Sequence, residues 1–356
     1  MDYAVLCRSA PAVEREATGV HEETISSPVI VITGAGAGVG RAVAEEFARR
    51  GCSVALLSRD VSRLEHAASE LKMRYHIQTL AIPTDVASAE AVEAAAERVE
   101  RELGPIHTWI NVAMATVFGA VSSVSAAEVE RGTQVTYLGQ VYGMMAALKH
   151  MRPRNEGVIV NVGSALAYRS LPLQAIYCGA KAAIRGFTDS LRSELIHDKL
   201  AIRLTTVDLP AVNTPQFDWA LNKTGYRPQP VPPIFQPEVP ARAIYFAATH
   251  KRREIWLGFS TIKAILANRL APGLLDRYLA KAGYAGQLTH QKTPSDAPSN
   301  LFEPVPGPYG AHGRFDARAR NATWTIFTER HRALAFAILA VVAGVALGRM
   351  AKRRDL

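Results

Sequence analysis

The sequence predicts an α/β protein with a doubly wound parallel sheet and a C-terminal extension. Three observations carry this. A β-branched run, Val29-Ile30-Val31-Ile32, leads directly into a glycine-rich turn and then a helical pattern. Further short apolar runs alternate with helical stretches of roughly 10–20 residues, the signature of βαβ crossovers. The composition, 48% hydrophobic and 21% charged over 356 residues, supplies enough apolar surface for a core and excludes a disordered chain. No internal repeat occurs at solenoid periods.

The first 27 residues are polar and mixed, with Glu14, Arg15, Glu16, Glu22 and Glu23 interrupting every apolar run. They read as a flexible extension and lack the apolar stretch of a secretory signal. Order begins at Pro28. The strand 29–32 has the composition of one buried on both faces. The next helix runs through Arg50 and closes at Gly51. A strand at Ser53–Leu57 is followed by helix 60–74, strand 77–82, helix 88–103 and strand 107–112. Long helices cover 126–150 and 176–198 around strands 157–162 and 201–207, and Glu254–Leu257 is the last strand. The core domain spans 28–285.

Eight of the chain's 20 prolines fall between Pro210 and Pro240, which argues for a long irregular excursion. Such loops in compact domains are commonly functional lids. Residues 261–284 read as helix broken at Ala271-Pro272-Gly273, and 286–332, with Pro294, Pro298, Pro304, Pro306 and Pro308, read as a linker. The run Ala333–Gly348 has 16 uncharged residues between Arg332 and Arg349. As helix it measures ~24 Å against a hydrocarbon core of ~30 Å. With snorkelling arginines it predicts a transmembrane helix at 333–349, a basic tail at 350–356, and a catalytic domain held at the membrane facing the cytoplasm.

Net charge is +9, but Gly313–Leu356 holds nine Lys/Arg against three Asp/Glu. The tail therefore supplies +6 of it, and nucleic acid is not an expected partner. Cys7, Cys52 and Cys178 are scattered, which excludes a disulfide scaffold or cysteine-based metal site and favours a reducing compartment.

The chemistry begins at Thr33-Gly34-Ala35-Gly36-Ala37-Gly38-Val39-Gly40. Between a strand and a helix, such glycines let a pyrophosphate approach the backbone, where unpaired N–H groups and the helix dipole meet it. At the end of the second strand, Ser58 stands where an NAD-type acid is expected and Arg59 follows, which favours NADP(H). The alternative is a solvated Arg59 balanced by Asp60. Tyr177 and Lys181, at i and i+4, share one helix face, with Ser164 just beyond strand 157–162. A phenol ionises near about 10, and an adjacent ammonium lowers that value. This suits a general acid/base for alcohol–carbonyl chemistry, with the Ser164 hydroxyl holding the reacting oxygen.

On these motifs, with Asp85-Val86 and Asn111-Val112-Ala113-Met114, residues 28–258 resemble the short-chain dehydrogenase/reductase family. The resemblance implies a Rossmann-type sheet of about seven strands and NAD(P)-linked chemistry at a CH–OH or carbonyl carbon. It implies that Asp85 and Val86 border the adenine, Asn111 lies beside the cofactor, Lys181 grips the nicotinamide ribose and Thr214 meets the carboxamide. It makes the helices at 126–150 and 176–198 the contact faces of a homodimer or homotetramer, and 211–237 the substrate lid. The lid's Phe217, Trp219, Tyr226 and Phe235 either suit a lipophilic substrate or pack the lid on the body. Two departures stand out. The family's Asn-Asn-Ala-Gly reads Asn-Val-Ala-Met, and Thr136 replaces the Asn that holds a water linking the lysine to solvent. The expected function is an NADP(H)-dependent oxidoreductase with Tyr177 as acid/base, relayed through Thr136. The departures motivate the alternative, an NADP-binding scaffold or redox-sensing module.

Overall fold

The computed structural model describes residues 27–294, 296–325 and 328. The chain runs through β1 (Val29–Thr33), α1 (Gly38–Ala48), β2 (Ser53–Ser58), α2 (Val61–Tyr75), β3 (Thr79–Pro83), α3 (Ala89–Glu102) and β4 (Ile106–Asn111). After the short β5 (Val117–Phe118) come α4 (Ala126–Thr133) and α5 (Gly139–Arg154), joined by a π-helical turn at Gln134–Leu138. Then follow β6 (Val158–Ser164), α6 (Ala175–His197) and β7 (Arg203–Leu209). The irregular stretch carries α7 (Gln216–Trp219), β8 (Leu221–Asn222), β9 (Tyr226–Pro228) and β10 (Ile234–Phe235). The last elements are α8 (Glu238–Thr249), β11 (Glu254–Trp256), α9 (Phe259–Leu270), α10 (Pro272–Gln287), β12 (Leu288–Lys292) and β13 (Ala319–Arg320).

Seven strands form one parallel sheet in the order β11-β7-β6-β4-β1-β2-β3. The order reverses at β1, which lies between β2 and β4, so a crevice opens at the carboxyl ends of these strands. Both faces are covered, which is why the central strands β1 and β2 are apolar in near-continuous runs rather than alternating. Ile30, Leu56, Val160 and Val207 pack against Phe47 of α1 and Ile244 of α8. On the opposite face Val31, Trp109, Ile159 and Leu204 meet Met144 of α5 and Leu191 of α6.

Three expectations are corrected. Helix α8 is absent from the sequence reading because Pro237 and Pro240 suppress it. Pro237 is its N-cap and Pro240 lies in its first turn, where a missing N–H breaks no helical bond. The segment expected as a linker instead packs on the domain. β12 pairs antiparallel with β9, β13 pairs parallel with β10, and Leu301, Val305 and Phe315 are buried. Finally, the membrane placement is not upheld. Among the described residues no helix is long and apolar enough to cross a membrane. The longest, α6, carries Lys181, Arg185, Asp189, Arg192 and Glu194 along its 23 residues. The run Ala333–Gly348 on which the expectation rested, the basic tail and the N-terminal 26 residues lie outside the described residues.

Candidate active site

The glycine turn closes on itself: a Cβ at Gly40 would collide with the Gly34 carbonyl, so only glycine allows the approach. A Cβ at Gly36 would stand 2.8 Å from the Ser58 hydroxyl. That hydroxyl is buried and lacks a hydrogen-bond partner, an orphaned donor beside a cradle kept open by glycine. Thr33 has a different task from the one expected. Its hydroxyl accepts from the Val112 and Ala113 N–H groups at 3.0 and 3.2 Å, tying the loop to the end of β4.

A single cavity of about 1,050 Å³ runs from Arg59 past the glycine loop to Tyr177. Gly34, Gly36, Gly38, Val39 and Gly40 line it, as do Ser58, Asp85, Val86 and Thr214. Ser164 and Lys181 also face it. Thr33, Asn111 and Thr136 do not line it. Asn111 is fully buried in a sealed polar ladder: it accepts from Trp109 Nε1 at 2.8 Å and donates to Asn161 Oδ1 at 2.9 Å. Its neighbours Val112, Ala113 and Met114 reach the cavity instead. Thr136 donates to the Ala115 carbonyl and accepts from the Ala115 N–H, both at 2.9 Å, which fills its donor and leaves no exposed surface for a relay.

β6 ends at Ser164, whose hydroxyl accepts from the Leu166 N–H at 3.1 Å and is hydrogen-bonded with Tyr177. Tyr177 and Lys181 lie in the first two turns of α6. Lys181 Nζ donates to the Val162 carbonyl at 2.6 Å and stands 5.7 Å from the centre of the Tyr177 ring. Burial raises the Tyr177 phenol above its ordinary value, against the pull of the Ser164 bond, with Cys178 and Asp208 adding to the rise. Burial likewise pushes Lys181 down to about 7, opposed by Asp208. Desolvation thus outweighs the ammonium effect expected from sequence, and the phenol holds its proton more tightly than an ordinary tyrosine.

At the other end, Arg59 donates to the carbonyls of Phe302, at 2.6 Å, and Asn300. Burial and Arg131 lower its guanidinium from the ordinary value, with Asp85 and Glu303 opposing. Sequence reasoning missed Arg63, which pairs with Asp60 at 2.9 Å and donates to the carbonyls of Val305 and Gly307. It also lies 5.1 and 5.3 Å from the ring centres of Trp219 and Tyr309. Asp85 pairs with Arg131 at 2.6 Å, and Arg131 donates to the Leu301 carbonyl. A strap from Asn300 to Phe315 is therefore stitched across this end of the cavity. The i,i+3 spacing of Asp60 and Arg63 was visible in sequence, but bonds to strap carbonyls leave no sequence signal.

Leu166, Leu171, Ile262, Tyr278 and Leu279 line the catalytic end, which makes it apolar. Gln287 of α10, fully buried, fixes this wall by donating to the Pro172 carbonyl at 2.8 Å. Of the lid aromatics, Phe217 packs between Phe118 and Phe315, Phe235 is buried, and Tyr226 is exposed away from the cavity. Trp219 lies against Tyr309 at the Arg63 end. Phe217, Trp219 and Phe235 also line the cavity. Among the described residues, no group of three or more His, Cys, Asp or Glu side chains is placed to hold a metal ion.

Comparison with known proteins places this geometry in context. The model of a family described as short chain dehydrogenase matches residues 28–223. An uncharacterized oxidoreductase of Bacillus subtilis, YxnA, is 31% identical over 333 residues, covering 92% of each chain. The 2,3-dihydro-2,3-dihydroxybenzoate dehydrogenase of the same organism is 32% identical over 55% of this chain and 74% of its own. Among solved structures, an alcohol dehydrogenase from Thermococcus sibiricus complexed with 5-hydroxy-NADP superposes with a TM-score of 0.54 at 25% identity. That match covers 64% of this chain and 94% of the archaeal one.

Proposed function

The chain belongs to the short-chain dehydrogenase family and is an oxidoreductase, and from that premise we propose that it interconverts a secondary alcohol and a carbonyl with NADP(H), on a lipophilic substrate. The observation that carries this reading is that Ser164, Tyr177 and Lys181 face the same cavity as the glycine loop.

Bound NADP(H) would supply or accept the hydride. The backbone at Gly36 and Val39, beside the head of α1, would hold its pyrophosphate. The orphaned Ser58 hydroxyl, with Arg59 and Arg63, would meet the 2′-phosphate. Asp85 and Val86 would border its adenine, Thr214 its nicotinamide, and Lys181 would hold the nicotinamide ribose. In the reductive direction Tyr177 gives its proton to the carbonyl oxygen that Ser164 holds, and in the oxidative direction it takes it back. The apolar walls at Leu166, Ile262 and Leu279 support a lipophilic substrate. The neighbour bound to 5-hydroxy-NADP supports the choice of NADP(H). Assembly as a homodimer or homotetramer through α5 and α6 belongs to the same reading, and light scattering tests it.

The direct test is a screen of NADPH oxidation over ketones, aldehydes, steroids and fatty-acyl carbonyls. Turnover with an apolar ketone supports the reading. Tight NADPH binding without turnover on any of them overturns it in favour of a scaffold.

A further inference from the structure

Away from the Arg59 end, every charged residue on the cavity wall is basic: Arg169, Lys181, Lys263 and Arg320. The two carboxylates that line the cavity, Asp60 and Asp85, lie at the Arg59 end, and each is paired with an arginine. Arg169 is matched by Asp276, and Lys181 is held on the Val162 carbonyl. Lys263 is exposed and enters no ion pair among the described residues. An otherwise apolar wall thus carries an unmatched cation, and the reaction as described leaves it without a task.

Lys263 stands in the second turn of α9, and the first turn of that helix is also on the wall, with Phe259, Ser260 and Thr261. Gly258, at a φ of +82°, turns the chain from β11 into α9 and brings the helix head against Pro210, just after β7. A Cβ at Gly258 would stand 3.3 Å from the Pro210 ring. The flank of α9 packs on the turn at Ala165–Ala167, directly after Ser164, and Asn268 fixes it there by donating to the Tyr168 carbonyl at 2.8 Å. No side chain caps the N–H groups of the first turn. The Gly258 N–H goes to the Thr325 hydroxyl, and the Thr261 N–H returns to the Gly258 carbonyl. The Phe259 and Ser260 N–H groups precede any helical acceptor. Beside them the Ser260 and Thr261 hydroxyls are buried without a hydrogen-bond partner, and Thr261 is 0% exposed. Two orphaned hydroxyls, an uncapped helix head and an unmatched ammonium therefore converge on one part of the wall. All of them favour a negatively charged acceptor.

We infer that the head of α9, with Ser260, Thr261 and Lys263, is a subsite for an anionic group of the substrate, which is an apolar molecule ending in a carboxylate. The inference rests on the proposed oxidoreductase site and names its substrate class. The carboxylate accepts from the first-turn N–H groups and the two hydroxyls, and Lys263 neutralises it from the rim. The apolar body lies along Ile262 and Leu279, which line the same cavity, towards Ser164 and Tyr177. The absence of any lining carboxylate at this end removes the repulsion that an acid would otherwise meet. A neutral substrate of the same length gains the apolar contacts alone.

The test is calorimetric titration of the full chain near neutral pH with octanoate and with octanamide, which share length and shape and differ in charge. Octanoate should bind about tenfold more tightly, and added salt should weaken octanoate alone. Lys263→Gln and the Ser260→Ala/Thr261→Val pair should each bring the two ligands to within about threefold, and Lys263→Arg should keep the preference. Saturating NADPH should leave octanoate binding in place. Equal affinities in the unmodified protein, no octanoate binding, or a preference that survives both substitutions overturns the subsite. So does displacement of octanoate by NADPH, which would put the anion at the glycine loop. Because the titration needs no turnover, the two readings fail separately. Turnover of an apolar ketone without octanoate binding overturns the subsite alone, and octanoate preference without turnover of any carbonyl overturns the activity alone.

Discussion

The backbone N–H of Gly38 donates to the carbonyl oxygen of Gly310 at 3.0 Å, joining the cofactor loop at the head of α1 to the strap that crosses it. The strap thereby helps to wall the cavity, which Asn300, Pro304 and Val305 also line. Arg59 and Arg63, which line this end of the cavity, both have guanidinium N–H groups on strap carbonyls.

Arg59→Ala should weaken NADPH binding much more than NADH binding. Hydrogen bonds involving a charged group contribute about 1.5–3 kcal/mol, so a loss of roughly 10- to 100-fold in NADPH affinity is expected. Fluorescence titration with both cofactors measures it. Equal losses would mean that Arg59 serves the strap and not the phosphate.

His312 gives the strap a pH response. Its ring contacts Glu238 of α8 at 2.8 Å and Asp316 at 2.7 Å. Burial lowers its proton affinity, but the two carboxylates outweigh burial and leave it raised. A raised histidine stabilises the fold fully below its unfolded value, about 6.5, and that contribution is lost as pH rises through the folded value. Hydrogen exchange around residues 310–316 should therefore quicken as pH rises through and above neutrality, after correction for intrinsic rates. His312→Gln should remove the step, and an unchanged step in that variant would contradict the assignment.

Thr136→Val should destabilise the protein by about 1–3 kcal/mol, since it leaves the buried Ala115 N–H and carbonyl without their partner. The kcat pH profile should stay in place, measured beside thermal unfolding. A shifted profile with unchanged stability would restore Thr136 to the relay.

The fold was legible because its signals are local. Val29–Ile32, the glycine turn and the alternation that follows locate each central strand to within a few residues, since strands buried on both faces must be continuously apolar. Ser164, Tyr177 and Lys181 were legible because their spacing fits a strand end and one helix face. The strap was not, because proline and glycine look alike in a free linker and in a segment held by its own carbonyls. Asn111, Thr33 and Thr136 were read as site residues from motif position, while their side chains turn into the core to satisfy buried polar groups.

The central claim is that Tyr177 moves the proton, and Tyr177→Phe tests it most directly, by single-turnover hydride transfer alongside NADPH binding. NADPH affinity should stay within a few-fold of the unmodified enzyme while the transfer rate falls by about 10²–10⁴-fold. A variant that binds NADPH normally and still reduces its substrate at a comparable rate would contradict it.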